Sequence, residues 1–371
     1  MSTFLRYAAG AALALSMVGT LAFGQNYNQI NLVANTSGVA PVTDPALVNP
    51  WGMSRNSGSP WWIADNATGV STLYNGAGTK LGLTVTIPAA KWGSMGTPTG
   101  TIYNGSKTDF LLAPRAPALF LFSTLDGTIV GWNPGTGAKA VVKTTDGSSY
   151  TGLTSAKVNG QLRLYAANFT KGRVDVYDSG FHRISIGAEH FSADSLPRDY
   201  VPFNVQAIGD DIVVTFALHE DGNLHETDGP GLGEVVIYSA EGDMIQRLEH
   251  GDWLNAPWGV ALAPLDFGIY SHDLLVAQFA GGGTSQSSGY IAAYDLATGH
   301  LQGLLLDASG NTLAINGIWA ISPGNTSPNN YDAAGAPAAE LYFTAGPNHG
   351  SGGLLGYLTA VSTDLIQGND Q

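Results

Sequence analysis

Cysteine is absent from the 371 residues, which excludes disulfide staples, thiolate catalysis and cysteine-linked lipids. Charge is scarce: Asp, Glu, Lys and Arg make up only 12% of the chain. Long surface helices draw on Glu, Lys and Arg, so such helices are not expected. Basic residues are the scarcer sign, 15 against 29 acidic, giving a net charge of -14 at pH 7. A surface of that sign repels nucleic-acid phosphates and anionic lipid headgroups. Cations, neutral sugars and basic partners remain open to it. Glycine, in contrast, is abundant (49 residues), and aromatic residues reach 10%. That mixture suits many short strands joined by tight turns, so the expected class is all-β.

Residues 1–24 read as a secretory signal. Arg6 supplies the positive start, Ala8 to Phe23 is apolar, and Ala22 and Gly24 are small residues placed for cleavage before Gln25. The apolar stretch falls short of the roughly 20 residues that span a bilayer; left uncleaved, it would be an anchor. The expectation is a secreted or periplasmic protein with residues 25–371 forming a single domain, without stable membrane insertion and monomeric.

Internal periodicity is the most informative signal. A small residue or Pro, then an aromatic, Thr or Asn, leads into a short apolar run six times. The lead-ins are Pro50-Trp51-Gly52, Pro98-Thr99-Gly100, Tyr150-Thr151-Gly152, Pro202-Phe203-Asn204, Pro257-Trp258-Gly259 and Asn316-Gly317-Ile318-Trp319. A second apolar strand follows each, as in Trp61-Trp62-Ile63-Ala64-Asp65. A third alternates with period two, most clearly Arg173-Val174-Asp175-Val176-Tyr177. A weaker fourth follows, for instance Leu83 to Ile87. Six units of four strands predict a six-bladed β-propeller. The sixth unit runs out of chain after its third strand. The unclaimed strand Gln29 to Val33 is expected to complete that blade and cover its edge.

In antiparallel blades the lead-in of the innermost strand lies at the same end as the loop between second and third strands. One channel mouth should therefore gather Trp51, Asn204, Trp258 and Asn316 from lead-ins. From loops it should gather Asp65, Asn66, Asn168, the segment 218–232, Gly281 to Ser288, and His349. Trp51 and Trp258 either pack between blades or stack a sugar ring. Asp65, Asn66 and Asn168 are either turn chemistry or ligand contacts. His349 is either a solvated loop residue or a ligand contact.

The longest of these loops holds His219, Glu220, Asp221, His225, Glu226 and Asp228. Imidazole and carboxylate suit Zn²⁺ or Mn²⁺, and carboxylates with carbonyls suit Ca²⁺. The spacing matches no established metal signature. Asn204, Asn316, His225 and Asp228 are the candidate ligands of a divalent ion, with Glu226 as a catalytic base; a solvated polar loop is the alternative.

These residues together resemble a family of uncharacterised secreted bacterial six-bladed propellers, some carrying a C-terminal Pro-Glu-Pro sorting tail. The resemblance runs from about Asn31 to Leu358. It rests on Asn49-Pro50-Trp51-Gly52, Ala64-Asp65-Asn66, the run Asp126 to Pro134, Tyr165 to Phe169, Pro202 to Gln206, Leu254 to Gly259, and Phe343 to Asn348. His225-Glu226-Thr227-Asp228 is similar to the family's His-Asp-Asp-Val, with Glu226 and Thr227 in place of two Asp. The tail motif is not present in this sequence. Asn316-Gly317 is similar to a step in gluconolactonase-type propellers, which hold a divalent metal in the channel; that likeness implies a metal-dependent hydrolase or lactonase. The leading expectation is a propeller that binds a carbohydrate or peptide at its mouth, possible metal included. The alternatives are the hydrolase and a cell-envelope interaction module.

Overall fold

The computed structural model describes residues 25–361 except 92, 193–195, 198, 221–224, 281–287 and 325–338. The expected signal, residues 1–24, lies outside them. Among the described residues there is no α-helix, and no helix is long and apolar enough to cross a membrane.

Six antiparallel sheets follow one another along the chain, as the repeats require. Their innermost strands are Pro50–Ser54, Pro98–Tyr103, Tyr150–Val158, Tyr200–Ile208, Pro257–Leu262 and Ile318–Pro323, which define blades 1 to 6. Each innermost strand packs on the next, and the sixth packs on the first, so the ring closes. Blade 6 is completed by Asn26–Ala34, which pairs antiparallel with Leu354–Ala360 from Tyr27↔Ala360 to Ala34↔Leu354. The expected closing strand is thus present and longer than its apolar run indicated.

Period-two alternation gives each blade two apolar faces, and the faces of neighbouring blades meet as separate cores. Val174, Val176 and Tyr165 of blade 3 meet Val214, Phe216 and Val236 of blade 4. Trp62 and Leu73 of blade 1 meet Phe120 and Trp132 of blade 2.

The innermost strands come so close that glycine is required where they touch. A Cβ on Gly52 would lie 2.5 Å from the Thr99 carbonyl oxygen, and one on Gly100 2.4 Å from the Leu153 nitrogen. On Gly152 it would lie 2.1 Å from Asn204 Oδ1, and on Gly259 2.3 Å from the Trp319 carbonyl oxygen. The corresponding position is Asn204 in blade 4 and Ala320 in blade 6. Asn204 is therefore the one long side chain in a ring of Gly and Ala.

Candidate ligand site in the central channel

Every innermost strand carries a register shift at or near its lead-in, for example between Tyr150 and Gly152 and between Pro202 and Asn204. Such bulges bend a strand and re-aim a side chain. The residues just before the Gly, Asn and Ala ring are Trp51, Thr99, Thr151, Phe203, Trp258 and Trp319. Four of the six are aromatic, and they fill the lumen. Trp51 stacks on Trp319 with centroids 3.7 Å apart and meets Trp258 edge-on at 6.0 Å. It also reaches Phe203 at 6.4 Å, across the ring from blade 1 to blade 4. Trp258 Nε1 donates from blade 5 to the Thr151 carbonyl of blade 3 at 3.0 Å. Phe279 stacks on the Trp319 ring and Phe169 packs on Phe203, covering the plug.

The sequence leaves Trp51 and Trp258 at the channel mouth either packed between blades or open to a sugar ring. The structure buries them, 7% and 3% exposed, because other aromatic rings cover their faces. They close the lead-in end of the channel.

Beyond the plug lies a cavity of about 320 Å³, walled by Met53, Thr101, Asn204, Gln206, Val260 and Ile321, among others. Its walls reach the strand-end residues Ile208, Gly209, Leu262 and Pro323, so it runs toward the end of the channel opposite the plug. A second cavity of about 200 Å³ shares Met53, Thr101, Gln206, Ser322 and Pro323 with the first and adds Arg55, Asn56 and Ser57.

The larger cavity has a mainly apolar lining with a few polar groups, the smaller a mainly polar one, and neither is lined by a carboxylate. Asn204 is buried and donates its amide Nδ2 to the Trp258 carbonyl at 2.7 Å, while its backbone N–H donates to Thr215 Oγ1 at 3.0 Å. Thr101 Oγ1 is buried with no hydrogen-bond partner. Arg55 is the sole charged residue among those lining the two cavities. Its guanidinium lies 4.5 Å from the Trp61 ring centre, a cation–π contact. Burial disfavours the charged form and pulls its pKa down to about 10.

The remaining candidates take several structural places. Asp65 is fully buried; its Oδ2 accepts from the Thr72 N–H at 2.9 Å and the Thr72 hydroxyl at 2.7 Å. Burial pushes its carboxyl well above the usual carboxylate range. Asn66 donates to the Pro98 carbonyl at 3.1 Å, tying blade 1 to blade 2. Asn168, fully buried, donates to Asp175 Oδ2 at 2.7 Å and to Ser148 Oγ at 2.9 Å. These three side chains tie second strands to their surroundings, and none lines the channel cavities. His349 is exposed in a left-handed turn with φ 56°.

The expected metal ligands stand on different elements of the fold. Asn204 is enclosed in the channel wall, His225 is exposed on the rim, and Asn316 accepts from the Asn348 N–H at 3.0 Å. Among the described residues no group of three or more His, Asp or Glu is placed to hold an ion. Asp221 to Leu224 of the loop lie outside those residues, as do Gly281 to Gln286 and Ser287 of the blade 5 loop. On the rim, burial raises the carboxyl of Glu226 to about 7, with Asp228 adding to the shift; Asp228 is itself raised by desolvation.

Sequence reasoning missed Thr101, Gln206 and Arg55. Thr101 lies two residues beyond Thr99 and Gln206 two beyond Asn204, the period that keeps side chains on one face of a strand. That spacing was the available signal.

No protein-family model matches the chain. It is similar to two uncharacterised proteins of Acanthamoeba polyphaga mimivirus. One is 29% identical over 336 residues, covering 88% of this chain and 78% of that protein. The other is 28% identical over 339 residues, covering 88% and 84%. Among solved structures, a Bacteroides thetaiotaomicron protein of unknown function superposes with TM-score 0.55 at 10% identity, covering 91% of this chain and 76% of that one. Hydrazine synthase of Kuenenia stuttgartiensis superposes with TM-score 0.50 at 14% identity, covering 83% and 76%. At those identities the likeness speaks for the fold alone.

Proposed function

We propose that this chain is an exported ligand-binding propeller whose channel, from the end opposite the aromatic plug, takes a small hydroxyl-rich ligand of the carbohydrate class. The observation that carries the reading is the lining: two side-chain amides, Asn204 and Gln206, stand in the wall of one otherwise mainly apolar cavity. Buried polar groups need partners, and sugar hydroxyls both donate and accept. A cavity of about 320 Å³ sits at the small end of the roughly 300–1,000 Å³ range of ligand pockets, which favours a mono- or disaccharide over a peptide. Calorimetric titration with a panel of mono- and disaccharides tests it. Binding weakened at least tenfold by Asn204→Gly is expected, glycine being the residue that other blades carry there. Absence of binding by every member overturns the reading.

A second reading, hydrolysis at the rim, is favoured by Glu226, whose raised pKa suits a general base near neutral pH. It does not require a metal ion. Glu226→Gln should then abolish hydrolysis of lactones or esters by the purified chain; activity unchanged by this substitution overturns it.

A further inference from the structure

The mixed lining of the larger cavity describes the rest of the ligand, an inference that rests on the channel reading above. Strand direction sets the depth scale, because each innermost strand runs from the plug toward the opposite end of the channel. In blade 4 the period of two puts Asn204, Gln206 and Ile208 in one row. Asn204 stands next to the plug residue Phe203, and Ile208, about 13 Å further out at the usual rise per residue, is half-buried where the strand ends. The row therefore passes from two amides to an aliphatic side chain. Blade 5 repeats the outer part: Val260 is buried, and Leu262, the last residue of its strand, is 36% exposed. Pro323 ends the innermost strand of blade 6. Ile208, Leu262 and Pro323 all line the larger cavity. The connection beyond Leu262 carries two more exposed aliphatic side chains, Leu265 and Ile269. Apolar surface at this end gains from being covered by an apolar group and gains nothing from a hydroxyl.

We propose that the channel ligand is a neutral glycoside with an apolar aglycone, its sugar hydroxyls on Asn204 and Gln206 and its aglycone against Ile208, Leu262 and Pro323. A free sugar would set hydroxyls against the aliphatic wall. A plain hydrocarbon would exclude water from the two amides and offer no hydrogen bond in return. An amphiphile answers both parts of the lining. The smaller cavity shares Gln206 with the larger and adds Asn56 and Ser57, so polar partners for the sugar lie on the side of blade 1 while the aliphatic wall belongs to blades 4 to 6. The overall charge of -14 opposes the approach of an anionic amphiphile, which favours an uncharged one.

The test is a chain-length series: methyl, butyl and hexyl glycosides of D-glucose, D-galactose and D-mannose, with 1-hexanol as the sugar-free control. Each is titrated calorimetrically into the full mature chain, below its micelle concentration. For the sugar that binds, affinity is expected to rise up to about fourfold for each methylene that becomes buried. Leu262→Ser, a change at a partly exposed position, should flatten that rise and leave the methyl glycoside almost untouched. Asn204→Gly should weaken all chain lengths by the same factor. Methyl and hexyl glycosides of equal affinity, or a rise that survives Leu262→Ser, overturn this inference and leave the channel reading standing. Hexanol binding as tightly as the hexyl glycosides, or no binding by any member, overturns both. Circular dichroism melts of each variant separate lost binding from lost folding.

Discussion

Trp51 of the first blade and Trp319 of the last lie face to face, ring centroids 3.7 Å apart and planes 19° from parallel. The contact joins the two ends of the repeat series inside the lumen. Trp319 also donates its indole N–H to Asn49 Oδ1 at 3.0 Å. Truncating it therefore removes a ring from four aromatic contacts and a hydrogen bond together. Trp319→Ala should cost about 3–5 kcal/mol, read as a lower urea midpoint at unchanged slope. A loss under about 1 kcal/mol would mean that the plug relaxes to fill the gap.

Crowding of the innermost strands predicts the response of the glycine ring. Gly152→Ala drives a Cβ against Asn204 and should destabilise by about 1–3 kcal/mol. The double change Gly152→Ala with Asn204→Gly should recover part of that loss, because the obstructing side chain is then gone while the backbone Cα at position 204 stays 2.8 Å from the added Cβ. Thermal melts of the two single variants and the pair check the coupling.

Much of this architecture was legible in the sequence. The Pro-Trp-Gly and Thr-Pro-Thr-Gly lead-ins mark where innermost strands begin, since only Gly fits the close approach and Pro tolerates a strand start. The unclaimed strand at Gln29 to Val33 was legible because the sixth unit lacked a fourth strand. The direction in which the channel opens was not. Trp51 and Trp258 are equally consistent with lining a mouth and with sealing one. The difference lies in Phe203, Phe279 and Trp319, brought to them by ring closure rather than by sequence proximity. Arg55 was missed for a similar reason: nothing in Ser54-Arg55-Asn56 announces that Trp61 will hold it beside Gln206.

Acid titration supplies a further check. The Glu226 carboxyl is raised from its ordinary value of 4.5 to about 7, so the folded chain retains this proton where the unfolded chain has released it. Its contribution to stability is full below about pH 4.5 and is lost as pH rises through about 7. Asp273, raised to about 6, and Glu340, raised to about 7, act in the same direction. The difference between wild type and Glu226→Gln isolates one group: the gap in unfolding free energy should shift between pH 4.5 and 7.5 in favour of the variant. A pH-independent gap contradicts the assignment.

Asp175 gathers partners within blade 3. Its Oδ1 accepts from Arg173 Nε at 2.7 Å and lies 2.6 Å from Arg183, while Oδ2 accepts from the Tyr150 hydroxyl at 3.0 Å. The carboxylate is buried, but both guanidiniums are more than a third exposed, so solvent screens part of the interaction. Asp175→Asn keeps the shape and removes the charge. A cost of about 2 kcal/mol is expected, below the roughly 3–5 kcal/mol for breaking a fully buried pair. A denaturation series at low and high salt checks it, the cost shrinking as salt rises.

Blade 6 is assembled from the two extremities of the described chain: Asn26–Ala34 has its antiparallel partner in Leu354–Ala360. The antiparallel pairing of Asn26–Ala34 thus waits for a segment far along the sequence, although its end also pairs locally with Val42–Thr43. That long sequence separation makes the closing of blade 6 a slow step of folding.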